Sequence, residues 1–221
     1  GLKHLINKVC NRCSCSNHLI INSPILISNE IYRLLPFDQS HPLALNRIVP
    51  VIDLAQSLNW LDESQYKESS IASVDMLARY HDIDYVEAVL SAENNRCIPV
   101  TLGKRYNLGR HGNSYFSKMF TRPATTAGAS ILAGQLLADN DEGVIFSLAG
   151  GNHHAKKNQA SGFCIFNDPV LGILSMLDNG LQKVLYVDLD AHHGDGVQEA
   201  FQHDDRAVSY THLRAHETTP H

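Results

Sequence analysis

The stretch from residue 144 to residue 195 constrains this chain most, because two short apolar runs bracket one helical pattern and each run ends in a polar cluster. Residues 144–149 are an apolar run that ends in Gly150-Gly151, the pattern of a buried strand broken by a turn. Asp168-Pro169 opens a helix whose apolar positions Val170, Leu171, Ile173, Leu174 and Leu177 lead to a stop at Gly180. Residues 183–190 read as a second buried strand. Strand, helix and strand make a βαβ unit, which predicts a right-handed crossover, two parallel strands and C-terminal ends on one shared edge. Open α/β sheets bind ligands at that edge. Both polar clusters, Gly150 to His154 and Asp188 to Asp195, fall on it.

Composition removes several other classes. The balance of 18 Lys+Arg against 23 Asp+Glu gives a formal charge of −5, and with no long block of one sign a phosphate-tracking role has no electrostatic basis. The apolar stretch 19–27 is short and interrupted by Asn22, Ser23 and Pro24, so it does not cross a bilayer, and the N-terminus lacks the layout of a signal peptide. A cytoplasmic protein is the default expectation. Five cysteines, three of them at Cys10, Cys13 and Cys15, predict reduced thiols rather than a disulfide framework.

Upstream the pattern is coarser. Residues 24–28 read as a short buried strand that starts the domain. Residues 43–60 carry apolar groups at helical spacing, and Pro50 inside them predicts two helical pieces. Asp84 is a candidate cap for a helix through Leu90, and Pro123 sits where a first-turn proline belongs before a helix over 124–137. Residues 96–120, rich in Gly, Asn and Tyr, read as one long ordered loop.

The two clusters suggest chemistry before any family does. Asp190 and His192 are a carboxylate and an imidazole two residues apart, able to turn toward one divalent ion as the chain leaves its strand; such ligands suit zinc, manganese or iron. Alternation puts Asp188 on the same strand face, as a neighbour that bonds an imidazole or binds a second cation. The plain alternative is a loop whose acids cap amides and whose histidines are solvated. His153 and His154 are adjacent, and adjacent side chains diverge, so they suit flanking a reacting group better than sharing a metal. Each would need a buried carboxylate to orient it, and Asp188 and Asp195 are the available partners. A metal-bound water flanked by two imidazoles is equipment for hydrolysing an amide.

Residues 150–168 together with 184–201 resemble the zinc-dependent histone deacetylase family, with a flavour closest to its bacterial, acetoin-utilisation-like branch. The likeness continues through Tyr106 to Gly109, residues 122–128, His41-Pro42 and residues 28–32, so it covers about 24–209. It implies the arginase/deacetylase-like α/β fold, a parallel sheet with helices on both faces, incomplete at the C-terminus. It also implies a metal-dependent deacetylase, a hydrolase of acetylated lysine on proteins or of small acetylated amines. By resemblance Asp190 and His192 are two of three zinc ligands, His153 and His154 the tandem histidines at the scissile amide, and Asp188 and Asp195 their carboxylate partners. Gly162 and Phe163 match the wall of an acyl-lysine tunnel, where a ring can lie flat on an alkyl chain. Asp188, Asp190, His192 and Ser209 match contributors to a structural potassium site.

The family's third zinc ligand, an aspartate, and its transition-state tyrosine in a glycine-rich loop have no counterpart in this sequence. Two ligands predict weak zinc binding or none. Residues 209–218 resemble translated sequencing-adapter DNA, so 210–221 are read as a non-native tail and 1–23 as an unmatched extension. Missing sheet strands would leave apolar surface near 184–189 uncovered. Cys10, Cys13, Cys15 and His18 are a weak zinc-knuckle pattern, read as irrelevant to the domain. Two other functions stay open: a non-catalytic, acyl-lysine-binding remnant, and a binuclear manganese ureohydrolase of the same fold. The second lacks support because the chain offers paired histidines where that chemistry needs another bridging aspartate cluster.

Overall fold

The computed structural model describes residues 23–34, 46–140 and 142–211. In chain order the elements are β1 (Ile25–Ser28), α1 (Ile48–Ser57), β2 (Tyr66–Glu68), α2 (Val74–Leu77), α3 (Ile83–Asn95), α4 (Val100–Tyr106) and α5 (Thr121–Ala138). They continue with β3 (Ile145–Ser147), α6 (Asp168–Asp178), β4 (Val184–Asp188), α7 (Asp195–Phe201) and β5 (Ala207–Thr211). Every strand pairing among them is parallel. One sheet has the order β2-β1-β3, with Leu26 opposite Tyr66 and Phe146; the other is β4-β5, with Val184 opposite Ala207 and Tyr186 opposite Ser209.

That arrangement corrects the simple βαβ reading, since β3 and β4 belong to different sheets among the described residues. The reason lies in α6, which packs lengthwise on α5 instead of bridging two neighbouring strands. Small residues allow the approach: a Cβ on Gly134 would stand 2.7 Å from the Gly172 carbonyl oxygen and 2.8 Å from the Ser175 Cβ. The Ser175 hydroxyl donates to the Ile131 carbonyl at 2.8 Å, joining the same two helices. On its other side α6 buries Val170, Ile173, Leu174 and Leu177 against Val197, Phe201 and Ala207. The two polar clusters still meet, because the long connection over 148–167 folds back onto the end of β4, where His153 bonds Asp188.

Several local expectations change for identifiable reasons. Pro50 neither kinks nor divides a helix, because it lies in the first turn of α1, where an absent N–H costs no hydrogen bond. Residues 43–45 lie outside the described residues. Asp82, not Asp84, sits at the N-cap of α3, which runs on to Asn95 and ends with Arg96 in the left-handed region at φ 52°. The loop over 96–120 contains α4, which starts after Pro99 and buries Tyr106. The Glu93 carboxylate accepts from the Phe120 and Thr121 amides at 2.7 and 2.9 Å, so α3 supplies the acceptor that the free N–H groups of α5 require.

The largest core cluster gathers Leu77, Tyr85, Val86, Val89, Met119 and Phe166 between α2, α3, α5 and the 148–167 connection. Burial is incomplete on the smaller sheet: Leu185 and Leu189 are 66% and 72% exposed, and Val187, Val208 and Tyr210 also face outward. The uncovered surface expected near 184–189 is therefore present. Tyr210 and Thr211 continue β5 opposite Val187 and Asp188, while 212–221, 1–22 and the knuckle cysteines lie outside the described residues. Cys97 and Cys164 are free thiols, the latter buried, with its pKa pushed up to about 11 by that burial. No described helix is long and apolar enough to cross a membrane.

Candidate functional site

The site is built where the chain leaves β3. Gly151 takes φ 102°, a conformation that costs a side-chain-bearing residue strain, and the turn is fixed from below by one carboxylate. Asp168, the first residue of α6, is 2% exposed. It accepts from the Asn152 amide at 2.8 Å, the Asn152 side chain at 2.7 Å, the Gly151 amide at 3.2 Å and the Ser130 hydroxyl at 2.7 Å. Burial pushes the Asp168 pKa up, against the pull of these donors. A Cβ on Gly150 would lie 2.8 Å from that carboxylate, so the turn has room for hydrogen only.

The next two residues carry the imidazoles. His153 is buried, and its Nδ1–H donates to Asp188 Oδ2 at 2.7 Å; that oxygen also accepts the Tyr186 hydroxyl at 2.8 Å, and Oδ1 accepts the Asp190 amide at 3.0 Å. Burial alone would raise the Asp188 pKa, but these donors together bring it below the usual carboxylate range. His154 Nδ1–H donates to Asp195 Oδ1 at 2.7 Å, while Lys156 Nζ takes Asp195 Oδ2 at 2.7 Å. Here too desolvation pushes up and the lysine and imidazole win, so Asp195 is held low. Asp195 is not the buried carboxylate expected for that role: its side chain is 41% exposed. Nor do the adjacent histidines splay, since each carboxylate draws its own ring and the centroids end 4.1 Å apart at 55°.

A carboxylate can only accept, so both rings carry a proton on Nδ1, and in the neutral imidazole that tautomer puts the lone pair on Nε2. Two glycines keep the pair in place. A Cβ on Gly194 would come within 2.4 Å of Asp188 Oδ2, and one on Gly162 would meet His154 Cδ2 at 2.4 Å. Gly162 thus supports a histidine through its lack of a side chain. Phe163, at φ 65°, is 45% exposed; its amide donates to Asn113 Oδ1 at 3.0 Å, and its ring lies so close to Gly112 that a Cβ there would be 2.7 Å from Cε1.

Asp190 and His192 behave differently. They sit past the end of β4 with side chains 52% and 78% exposed, and they bond each other: Asp190 Oδ1 accepts from the His192 amide at 2.7 Å and from its Nδ1 at 2.9 Å. Those two bonds also lower the Asp190 pKa. The His192 ring stands edge-on to His154, with centroids 6.1 Å apart, so the candidate metal donors border the imidazole pair. Among the described residues, no group of three His, Cys, Asp or Glu side chains is placed to hold a metal ion. A catalytic zinc takes three protein ligands, so this donor set does not fit the ion by itself. Ser209 is on β5 in register with Tyr186, and Asp188, besides engaging His153, accepts the Asp190 amide at 3.0 Å.

Sequence reasoning missed the residues underneath. His81 is 1% exposed, donates from Nδ1 to the Lys156 carbonyl at 3.0 Å and accepts the Asn167 amide on Nε2 at 3.0 Å. Burial lowers its pKa to about 4. Asn167 caps α6 and donates to the Ala155 and His153 carbonyls at 2.9 and 3.3 Å. The helix start at Asp168-Pro169 was visible in the sequence; that the preceding Asn167 would cap it and hold the histidine loop was not.

Residues 41–219 match the model of the histone deacetylase domain family. The chain is 32% identical over 177 residues to the acetoin utilization protein AcuC of Bacillus subtilis, covering 80% of this chain and 46% of that protein. It is 35% identical over 181 residues to histone deacetylase 6 of Arabidopsis thaliana, covering 78% of this chain and 37% of that one. Among solved structures, an HDAC homologue from Aquifex aeolicus superimposes with a TM-score of 0.78 at 34% identity, covering 85% of this chain and 50% of that one; an HDAC homologue complexed with SAHA matches equally well. The chain spans half or less of the length of these relatives.

Proposed function

The chain belongs to the histone deacetylase family, and from that premise we propose that it carries the histidine side of the active site of a metal-dependent amidohydrolase that removes acetyl groups from lysine side chains or small acetylated amines. The observation that carries this reading is the pair of imidazoles 4.1 Å apart, each tied through Nδ1 to its own carboxylate at 2.7 Å. With both Nε2 atoms free, one ring takes a proton from the water that adds to the amide carbon, and a ring gives a proton to the nitrogen as the C–N bond breaks. Acetate and a free amine result. The carboxylates hold each ring in the required tautomer and stabilise the imidazolium formed in between. Phe163 and Gly162 offer the surface for the alkyl stem of an acylated lysine.

Zinc is the ion expected for the family, with Asp190 and His192 as two donors and a third required from outside the described residues. Asp188, Asp190, His192 and Ser209 are the residues that would contribute to a structural potassium site.

The test is acetate release from an acetyl-lysine peptide and from an acetylated polyamine by a polypeptide extended to its relatives' length, with metal content measured alongside. Acetate with one zinc per chain supports the proposal. Urea from a guanidino substrate with two manganese ions per chain would give the site to a ureohydrolase, and tight peptide binding without acetate would leave an acyl-lysine-binding module.

A further inference from the structure

We propose that Lys156 is a positioning residue for His154, fixing the Asp195 carboxylate in the rotation that presents Oδ1 to the imidazole; this rests on the reading of His153 and His154 as the acid–base pair. The two histidine partners are secured very differently. Asp188 is 5% exposed and takes donors from His153, Tyr186 and the Asp190 amide, so the surrounding protein leaves it one orientation. Asp195 stands in the first turn of α7 with its side chain 41% exposed, and a carboxylate so open to water has other rotamers available. Lys156 removes that freedom. Its side chain is only 16% exposed, and Nζ reaches Asp195 Oδ2 at 2.7 Å and Glu199 Oε2, one turn further along α7, at 2.9 Å.

The lysine is itself well placed to act as a fixed point. Its amide donates to the Gln159 carbonyl at 3.0 Å, and its carbonyl accepts from the buried His81. The stem therefore leaves a backbone pinned on both sides, and charge-assisted bonds to two carboxylates hold the ammonium group. His81 and Lys156 together connect the core below the loop to the orientation of the second imidazole.

The experiment uses the 221-residue chain labelled with nitrogen-15 in histidine, observed by long-range proton–nitrogen correlation at one alkaline pH, with His153→Asn and His154→Asn identifying the two rings. In the parent chain both rings are expected to carry the proton on Nδ1. Lys156→Met should turn His154 alone into a mixture of Nδ1–H and Nε2–H forms, and Lys156→Arg should restore the single form. A His154 ring still wholly Nδ1–H in a folded Lys156→Met chain overturns the inference, as does an equal change in both rings. If Lys156→Met fails to fold, Lys156→Gln is read by the same criteria, and unfolding of both neutral variants makes the lysine a fold residue and likewise overturns it. A parent chain with neither ring in the Nδ1–H form counts against the acid–base reading itself, which separates the two failures.

Discussion

The histidine side of the site and the Asp190–His192 side hold the same kinds of groups on neighbouring stretches of chain, yet one is finished by the protein and the other is not. His153 is buried, and its carboxylate has three protein donors; the side chains of Asp190 and His192 are more than half exposed and bond each other. The difference shows that density of acid and imidazole groups in a sequence does not measure preorganisation. What decides it is the number of buried partners each group acquires from elsewhere in the fold.

The sharpest way to break the contrast is kinetic. In an extended, active protein, His153→Ala or His154→Ala should cost ~10²–10⁴ in rate while leaving bound metal in place, whereas Asp190→Asn should empty the site; rate and metal content measured together check this. A metal-free histidine variant beside a metallated, active Asp190→Asn would mean that ligand and base are assigned to the wrong clusters. Next in size is Asp168→Ala, which strands the donors of Gly151, Asn152 and Ser130 in the interior; a loss on the order of 3–5 kcal/mol is expected from urea unfolding. A loss below about 1 kcal/mol would show that the turn does not depend on that carboxylate.

The histidine side should also give the chain a pH limit. His81 has a folded pKa near 4 against an ordinary 6.5, so the unfolded chain binds a proton that the native chain refuses. Stability is therefore intact above 6.5 and falls as pH drops toward 4, by roughly 3 kcal/mol in all. Facing this ring are the Lys156 and Lys157 carbonyls, the Asn167 amide and the rings of Tyr80, Tyr85 and Phe166, none of which adds a compensating charge over that range. Chemical unfolding of the parent and His81→Gln at several pH values reads the effect, and equal slopes in both would refute the assignment.

Smaller effects belong to exposed positions. Leu185, Val187 and Leu189 present an uncovered apolar row, so the chain should associate as concentration rises, and Val187→Lys should reduce scattered light without moving the unfolding midpoint. A monodisperse parent chain at high concentration contradicts this. Smallest of all, Asp190→Asn in the 221-residue chain should alter stability by no more than about 0.5 kcal/mol, because the pair it breaks is solvated. A larger loss by thermal unfolding would mean that the Asp190 side is more preorganised than its exposure indicates.

The two clusters, the helix between them and the parallel character of the strands were legible in the sequence because periodicity, caps and glycines are local signals, and Asp188 and Asp195 followed as the partners of the two histidines from counting available carboxylates, although which serves which came from the structure. Pro50 and the loop over 96–120 misled for the same local reason: a proline is harmless in a first turn, and a short helix such as α4 forms because Tyr106 is buried, not because its own residues demand it. Only the tertiary structure decided that β3 and β4 belong to separate sheets, that Asp195 stays half open, and that His81, Asn167, Asp168 and Lys156 hold the histidine loop. The physical reason is range. Those bonds join residues 12 to 75 positions apart, and a buried polar group finds its partner through packing of whole elements, which no pattern of neighbours along the chain encodes.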